Sequence, residues 1–116
     1  MAVLAAEKPG RQAEESGTLE ACLERLDDAI HQKVRLGVMS TVMAHGESDF
    51  NFLKSALNVS DGNLSTHLSV LEKYGYLAVK KEFVGKRPRT TYTPTPAGRK
   101  AFEAYIAALE MLVRSI

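Results

Sequence analysis

Cysteine is nearly absent: Cys22 is the only one in 116 residues. One thiol cannot close an intrachain disulfide, which fits a reducing compartment and predicts a cytoplasmic protein. It also weighs against a structural zinc site, which needs a set of thiolates and imidazoles. Long apolar runs are missing too. No stretch approaches the roughly 20 residues that a bilayer-spanning helix requires, so no membrane partner is expected. The opening MAVLAAEKPG has no basic lead-in followed by a long apolar segment, and a secretory signal is not expected. The chain has no phosphate-cradling glycine loop, no His-Glu-x-x-His and no paired carboxylates in an apolar setting. With no catalytic set, the expectation is a protein that is not an enzyme and needs no cofactor or metal.

What remains is an ordinary globular balance, 45% apolar and 25% charged. The length suits one compact domain. Net charge is only +1, but it is unevenly spread. Residues 1–30 carry −4, residues 31–79 are neutral, residues 80–100 carry +6 and residues 101–116 carry −1. The positive segment holds Lys80, Lys81, Lys86, Arg87, Arg89, Arg99 and Lys100 against Glu82 alone. Such a local field says more about partners than the total does.

Residues 1–17 show no periodicity and are expected to form a mobile N-terminal tail, leaving 18–116 as the domain. Thr18 can cap a first helix over 19–30, with Leu19, Leu23, Leu26 and Ile30 at helical spacing. Val34, Val38, Met39, Val42 and Met43 form the broad apolar stripe of a second helix that stops at Gly46. Gly37 marks a close approach of a neighbour. Ser48 is the expected cap of a short third helix with Phe50, Leu53 and Leu57 inward. Asn58 suits a left-handed turn residue. Ser60 then caps a fourth helix, pinned by Leu64, Leu68 and Leu71, which ends at Tyr74-Gly75-Tyr76.

The period then changes to two. Leu77, Val79, Lys81 and Phe83 read as the inner face of a strand, and TTYTP as its partner across a basic loop. Thr95 and Pro96 open a long last helix over 96–115. The expected fold is therefore mainly α with a small β-hairpin wing, in the order α-α-α-α-β-β-α.

A short helix, a tight turn and a second helix form a helix-turn-helix. NFLKSALNVS, SDGNLSTHLSVLEKYGYL, VKKEFVGKRPRTTYTPT and the PAGRKAF start of the last helix together resemble the winged helix-turn-helix transcriptional regulators of the MarR/ArsR type. The resemblance covers about residues 28–113. It implies sequence-specific binding of double-stranded DNA by a dimer. The fourth helix would be the recognition helix in the major groove, and the wing would lie on the backbone or minor groove.

The residues fit that implication. Gly62, Thr66 and Ser69 lie opposite the leucines, with Asn63 and Ser65 on the flanks. Together with Ser60 they form a small polar face that could approach a groove closely. A solvated Ser/Thr-rich helix would look the same. His67 lies about 60° from the inner axis and is expected to brace the helix against the wing. It stays a secondary DNA candidate. Lys80, Lys81, Lys86, Arg87 and Arg89 can meet phosphates, or enter a narrow minor groove. A basic hairpin kept only for solubility is the alternative for them.

In the last helix Phe102, Ile106, Leu109, Val113 and Ile116 repeat like a coiled-coil seam, widened by Tyr105 and Leu112. With Leu19, Leu23 and Leu26 they are the expected dimer interface. Closing the monomer core is the other use for the same residues. The resemblance also admits a small-molecule effector between the dimer helices. The functional alternative to DNA regulation is a winged-helix protein–protein adaptor whose wing meets an acidic partner.

Overall fold

The computed structural model describes residues 18–115. The expected tail, residues 1–17, and Ile116 of the expected seam lie outside the described residues. Among the described residues eight elements follow in order: α1 (Leu19–Glu24), α2 (Lys33–His45), β1 (Ser48–Asp49), α3 (Phe50–Leu57), α4 (Asp61–Lys73), β2 (Leu77–Val84), β3 (Arg87–Pro94) and α5 (Pro96–Arg114).

Three boundaries differ from the expectation: β3 begins at Arg87 and takes in residues expected in the basic loop, and the other two differences have local causes. The first helix stops at Glu24 rather than 30. Asp27 Oδ1 accepts from the backbone N–H of Ala29 at 2.8 Å and of Ile30 at 3.2 Å, which folds the chain into a turn instead. The cap of α3 is Asp49, whose Oδ1 accepts from Phe52 N at 2.7 Å, not Ser48. Ser48 is buried in β1, a third strand that the sequence reading did not contain. The sheet order is β1-β3-β2, all antiparallel, with Ser48 opposite Tyr92 and Leu77 opposite Pro94.

Other punctuation falls where the residue chemistry puts it. Asn58 is left-handed at φ 54° and ends α3. Ser60 caps α4 by accepting from Asn63 N at 3.2 Å, a contact worth about 1 kcal/mol. Thr95 caps α5 with Pro96 in its first turn. Gly37 does meet a neighbour: a Cβ there would lie 2.8 Å from a Leu57 methyl.

The core is built by Ile30, Val38, Met39, Val42, Leu53, Leu64, Leu68, Leu71, Leu77, Tyr92 and Tyr105. Leu64, Leu68 and Leu71 are all buried. Each such leucine contributes roughly 1.5–3 kcal/mol relative to exposure, so the inner face of α4 is firmly set. Tyr105, placed among the expected dimer residues, is in fact 1% exposed and belongs to this core. Its hydroxyl lies 2.8 Å from His31 Nδ1.

The turn after α4 is locked to the start of α5. Thr95 N–H donates to Tyr76 O at 3.1 Å, and Thr95 Oγ1 donates to Gly75 O at 2.6 Å. Gly98 comes so close that a Cβ would stand 2.2 Å from Tyr76 O. Tyr76 in turn donates from its hydroxyl to Asp27 Oδ2 at 2.5 Å. Burial and then that hydrogen bond push the phenol up to about 12. The end of α4, the start of α5 and the α1–α2 turn are thus tied together around one residue.

Candidate nucleic-acid interface

Ser60, Gly62, Asn63, Ser65, Thr66 and Ser69 are all exposed along α4, as their spacing predicts. Two of them have structural duties. Ser60 is the cap, and Thr66 Oγ1 donates back to Gly62 O at 2.9 Å, which leaves its oxygen as an acceptor only. Gly62 has no neighbour within 4 Å of its would-be Cβ, and its φ is not positive. The fold therefore supplies no steric reason for glycine, which costs a helix about 0.5–1 kcal/mol relative to alanine. A surface that something else must approach supplies one.

Charge at the start of α4 is balanced: Lys54 Nζ pairs with Asp61 Oδ1 at 2.7 Å. Both groups are well exposed, so the pair contributes at most about 1 kcal/mol.

His67 is half-buried, but it braces α4 against α2 rather than against the wing. Its Nδ1 lies 3.0 Å from Arg35 Nη1. Arg35 was not singled out from the sequence. Its only signal there is a lone cation within the apolar stripe of α2.

The strand pleat puts Lys80, Arg87 and Arg89 on one face of the hairpin and Lys81 on the other, with Lys86 in the turn. Register places Lys80 opposite Thr91 and Glu82 opposite Arg89, on the sheet face away from the core. That face also carries Glu47 and Asp49 from the edge of β1. Lys80 Nζ lies 3.7 Å from Glu82 and 4.0 Å from Glu47, while Arg89 Nε lies 3.7 Å from Asp49. Beneath them the buried Thr91 donates to Glu47 Oε2 at 3.1 Å. Lys81, Lys86 and Arg87 make no ion pair among the described residues. The five expected cations are therefore two that carboxylates hold and three that are free. Glu47 and Asp49 were missed because the third strand was missed.

Phe83 is also displaced from expectation. It is 73% exposed instead of inward, since the core ends at Val79 and the hairpin continues past it. Opposite Pro88 and near Lys86 and Arg87, it gives the wing an apolar tip.

The expected dimer residues divide likewise. Leu19, Leu23 and Val113 are more than half exposed. Leu26, Phe102, Ile106 and Leu109 are partly buried against the core, and Leu112 is half-buried. Ile106, Leu109, Glu110, Val113 and Arg114 line an open groove of about 390 Å³ along α5. Among the described residues no group of three His, Cys, Asp or Glu could hold a metal, and no helix is long and apolar enough to cross a membrane.

A helix-turn-helix whose second helix is exposed on its polar side, followed by a basic hairpin, defines a winged helix. The family model of a winged helix DNA-binding domain matches residues 34–113, and the chain belongs to that family. The family is one of DNA-binding domains, not enzymes.

An uncharacterized protein of Methanocaldococcus jannaschii, MJ0432, is 36% identical over 83 residues, spanning 72% of this chain and 90% of that one. A transcriptional regulator homologue from Pyrococcus horikoshii OT3 superposes with a TM-score of 0.74 at 26% identity, covering 87% of this chain and 95% of that one. The fold is also that of AbfR, solved in its reduced form bound to DNA, with a TM-score of 0.62 at 22% identity, covering 84% of this chain and 66% of that one. One of the structural neighbours is an ArsR family transcriptional regulator, RHA00566, similar in fold at 18% identity and a TM-score of 0.52.

Proposed function

We propose that the protein is a dimeric, sequence-specific DNA-binding transcriptional regulator. In this reading α4 enters the major groove with Gly62, Asn63, Ser65, Thr66 and Ser69 toward the bases. Ser60 acts as the cap that leaves the helix N-terminus open to a phosphate. Lys81, Lys86 and Arg87 meet the backbone or minor groove first. Lys80 and Arg89 join them once DNA phosphates compete with Glu47, Asp49 and Glu82.

The observation that carries the reading is the pairing of an exposed small-residue helix face with a hairpin bearing three free cations. A purely solvated helix has no use for Gly62, and a hairpin kept for solubility needs no recognition helix beside it.

The dimer reading rests on the exposed Leu19, Leu23 and Val113 beside the apolar groove of α5. Pairing two protomers across α1 and α5 buries these side chains. It also gives a two-fold assembly whose recognition helices can match half-sites about 34–36 Å apart. Selection of bound fragments from random duplex DNA tests the whole reading. The expected product is a short two-fold symmetric site. Recovery of no preferred duplex contradicts it.

A further inference from the structure

The contact between α2 and α4 determines which proton His67 carries. A guanidinium offers only donors, so in the 3.0 Å contact with Arg35 Nη1 the His67 Nδ1 must accept. The imidazole is then neutral and its hydrogen is on Nε2. The environment agrees: burial first, and the Arg35 charge second, hold this imidazole below its usual value.

Arg35 is itself fixed. Its Nε donates to Ala29 O at 2.5 Å and its Nη2 to Asp28 O at 3.5 Å. Its own backbone N–H donates to Gln32 Oε1 at 2.8 Å. With Nε and Nη2 both bonded to carbonyls of the α1–α2 turn, the guanidinium is held in place if the ring turns. His67 Nε2 has no partner among the described residues, and the side chain is only half-buried. His67 stands one helical turn beyond the exposed Asn63, on the same flank of α4.

We propose that His67 reads DNA as a donor of fixed polarity through Nε2–H, and that Arg35 is the positioning residue that sets this polarity. The inference rests on the reading of α4 as a recognition helix. An imidazole without Arg35 can carry its proton on either nitrogen, and so can accept as well as donate. Held by Arg35, it can only donate. It therefore suits base-edge acceptors such as guanine O6 and N7, and opposes the amino groups of cytosine and adenine. Phosphate oxygens share the acceptor chemistry, but would give no sequence preference.

Long-range ¹H–¹⁵N correlation spectra of the full chain test the polarity directly. In the wild type the His67 Nδ1 should resonate as an unprotonated acceptor and Nε2 as protonated. Arg35→Met should return the ring to a mixture of tautomers. A protonated Nδ1 on neutral His67 in the wild type overturns the proposal. The contact is tested on the duplex recovered by selection from random DNA, with His67→Gln and His67→Phe, neither of which depends on Arg35→Met folding. Glutamine can accept from Arg35 and still donate outward, so it should bind nearly as wild type. Phenylalanine removes one hydrogen bond from each protomer of the dimer, so affinity should fall roughly ten- to hundredfold. That loss should shrink when the contacted guanine is replaced by its 7-deaza analogue or by another base. Wild-type affinity of His67→Phe, or an equal loss on every duplex, overturns base reading by His67 while leaving α4 a recognition helix. Failure to recover any preferred duplex removes the recognition helix, and this proposal with it.

Discussion

Replacing Gly98 with alanine is a severe perturbation for one methyl group. The added Cβ would stand 2.2 Å from Tyr76 O and 3.0 Å from both Tyr76 C and Tyr76 Cα. An ordinary carbon–oxygen contact is about 3.3 Å or more, so the deficit is about 1 Å. The obstacle is backbone and cannot rotate away. Relief requires α5 to move off the Gly75–Tyr76 turn. That movement stretches the hydrogen bonds Thr95 N–H to Tyr76 O and Thr95 Oγ1 to Gly75 O, at 3.1 and 2.6 Å. Overpacking costs about 1–3 kcal/mol, and a backbone clash with two hydrogen bonds at stake belongs at the upper end. For a domain of this size about 3 kcal/mol lowers Tm by roughly 10–20 °C. Thermal unfolding followed by circular dichroism, at matched protein concentrations, measures it. A Gly98→Ala protein that melts within about 2 °C of wild type refutes the packing argument.

Gly62→Ala should do the opposite on both axes. It should gain about 0.5–1 kcal/mol of stability, because nothing crowds the site, yet bind the selected duplex more weakly; equal or tighter binding contradicts the close-approach role. Glu47→Gln combined with Glu82→Gln should tighten DNA binding by releasing Lys80, with little change in melting, since both pairs are exposed. Titration of His67 should cost stability in acid: its folded pKa is lowered from 6.5, so the unfolded chain binds the proton first. The contribution is present above that value and is lost as pH falls through the lower folded one. Denaturant melts from about pH 7.5 to about 5.5 should show this slope, and His67→Gln should flatten it.

Much of the fold was legible because much of it is local. As caps, Ser60, Thr95 and Asn58 act within four residues of themselves, and Leu64, Leu68 and Leu71 declare the buried face of α4 by spacing alone. The site's helix could be read for the same reason. The missed features are non-local. Ser48 pairs with Tyr92, far along the chain, and a two-residue strand has no periodicity to betray it. Glu47 and Asp49 therefore could not be seen beside the wing. The separation of Lys80 from Lys81 by the pleat was readable in principle, since the two are adjacent in a strand. Phe83 was misplaced because alternation says which face a residue takes, but not where the core beneath that face ends. The roles of Arg35 and Gly98 depend on partners brought in by the tertiary fold.

The salt dependence of binding to the selected duplex tests the central claim most directly. Each phosphate neutralised contributes roughly 0.9 to the slope of log affinity against log salt concentration. Arg87→Gln with Arg89→Gln removes two cations from each protomer of a dimer. The account predicts much weaker binding and a slope shallower by roughly three to four. An unchanged affinity and slope in the double variant would contradict it.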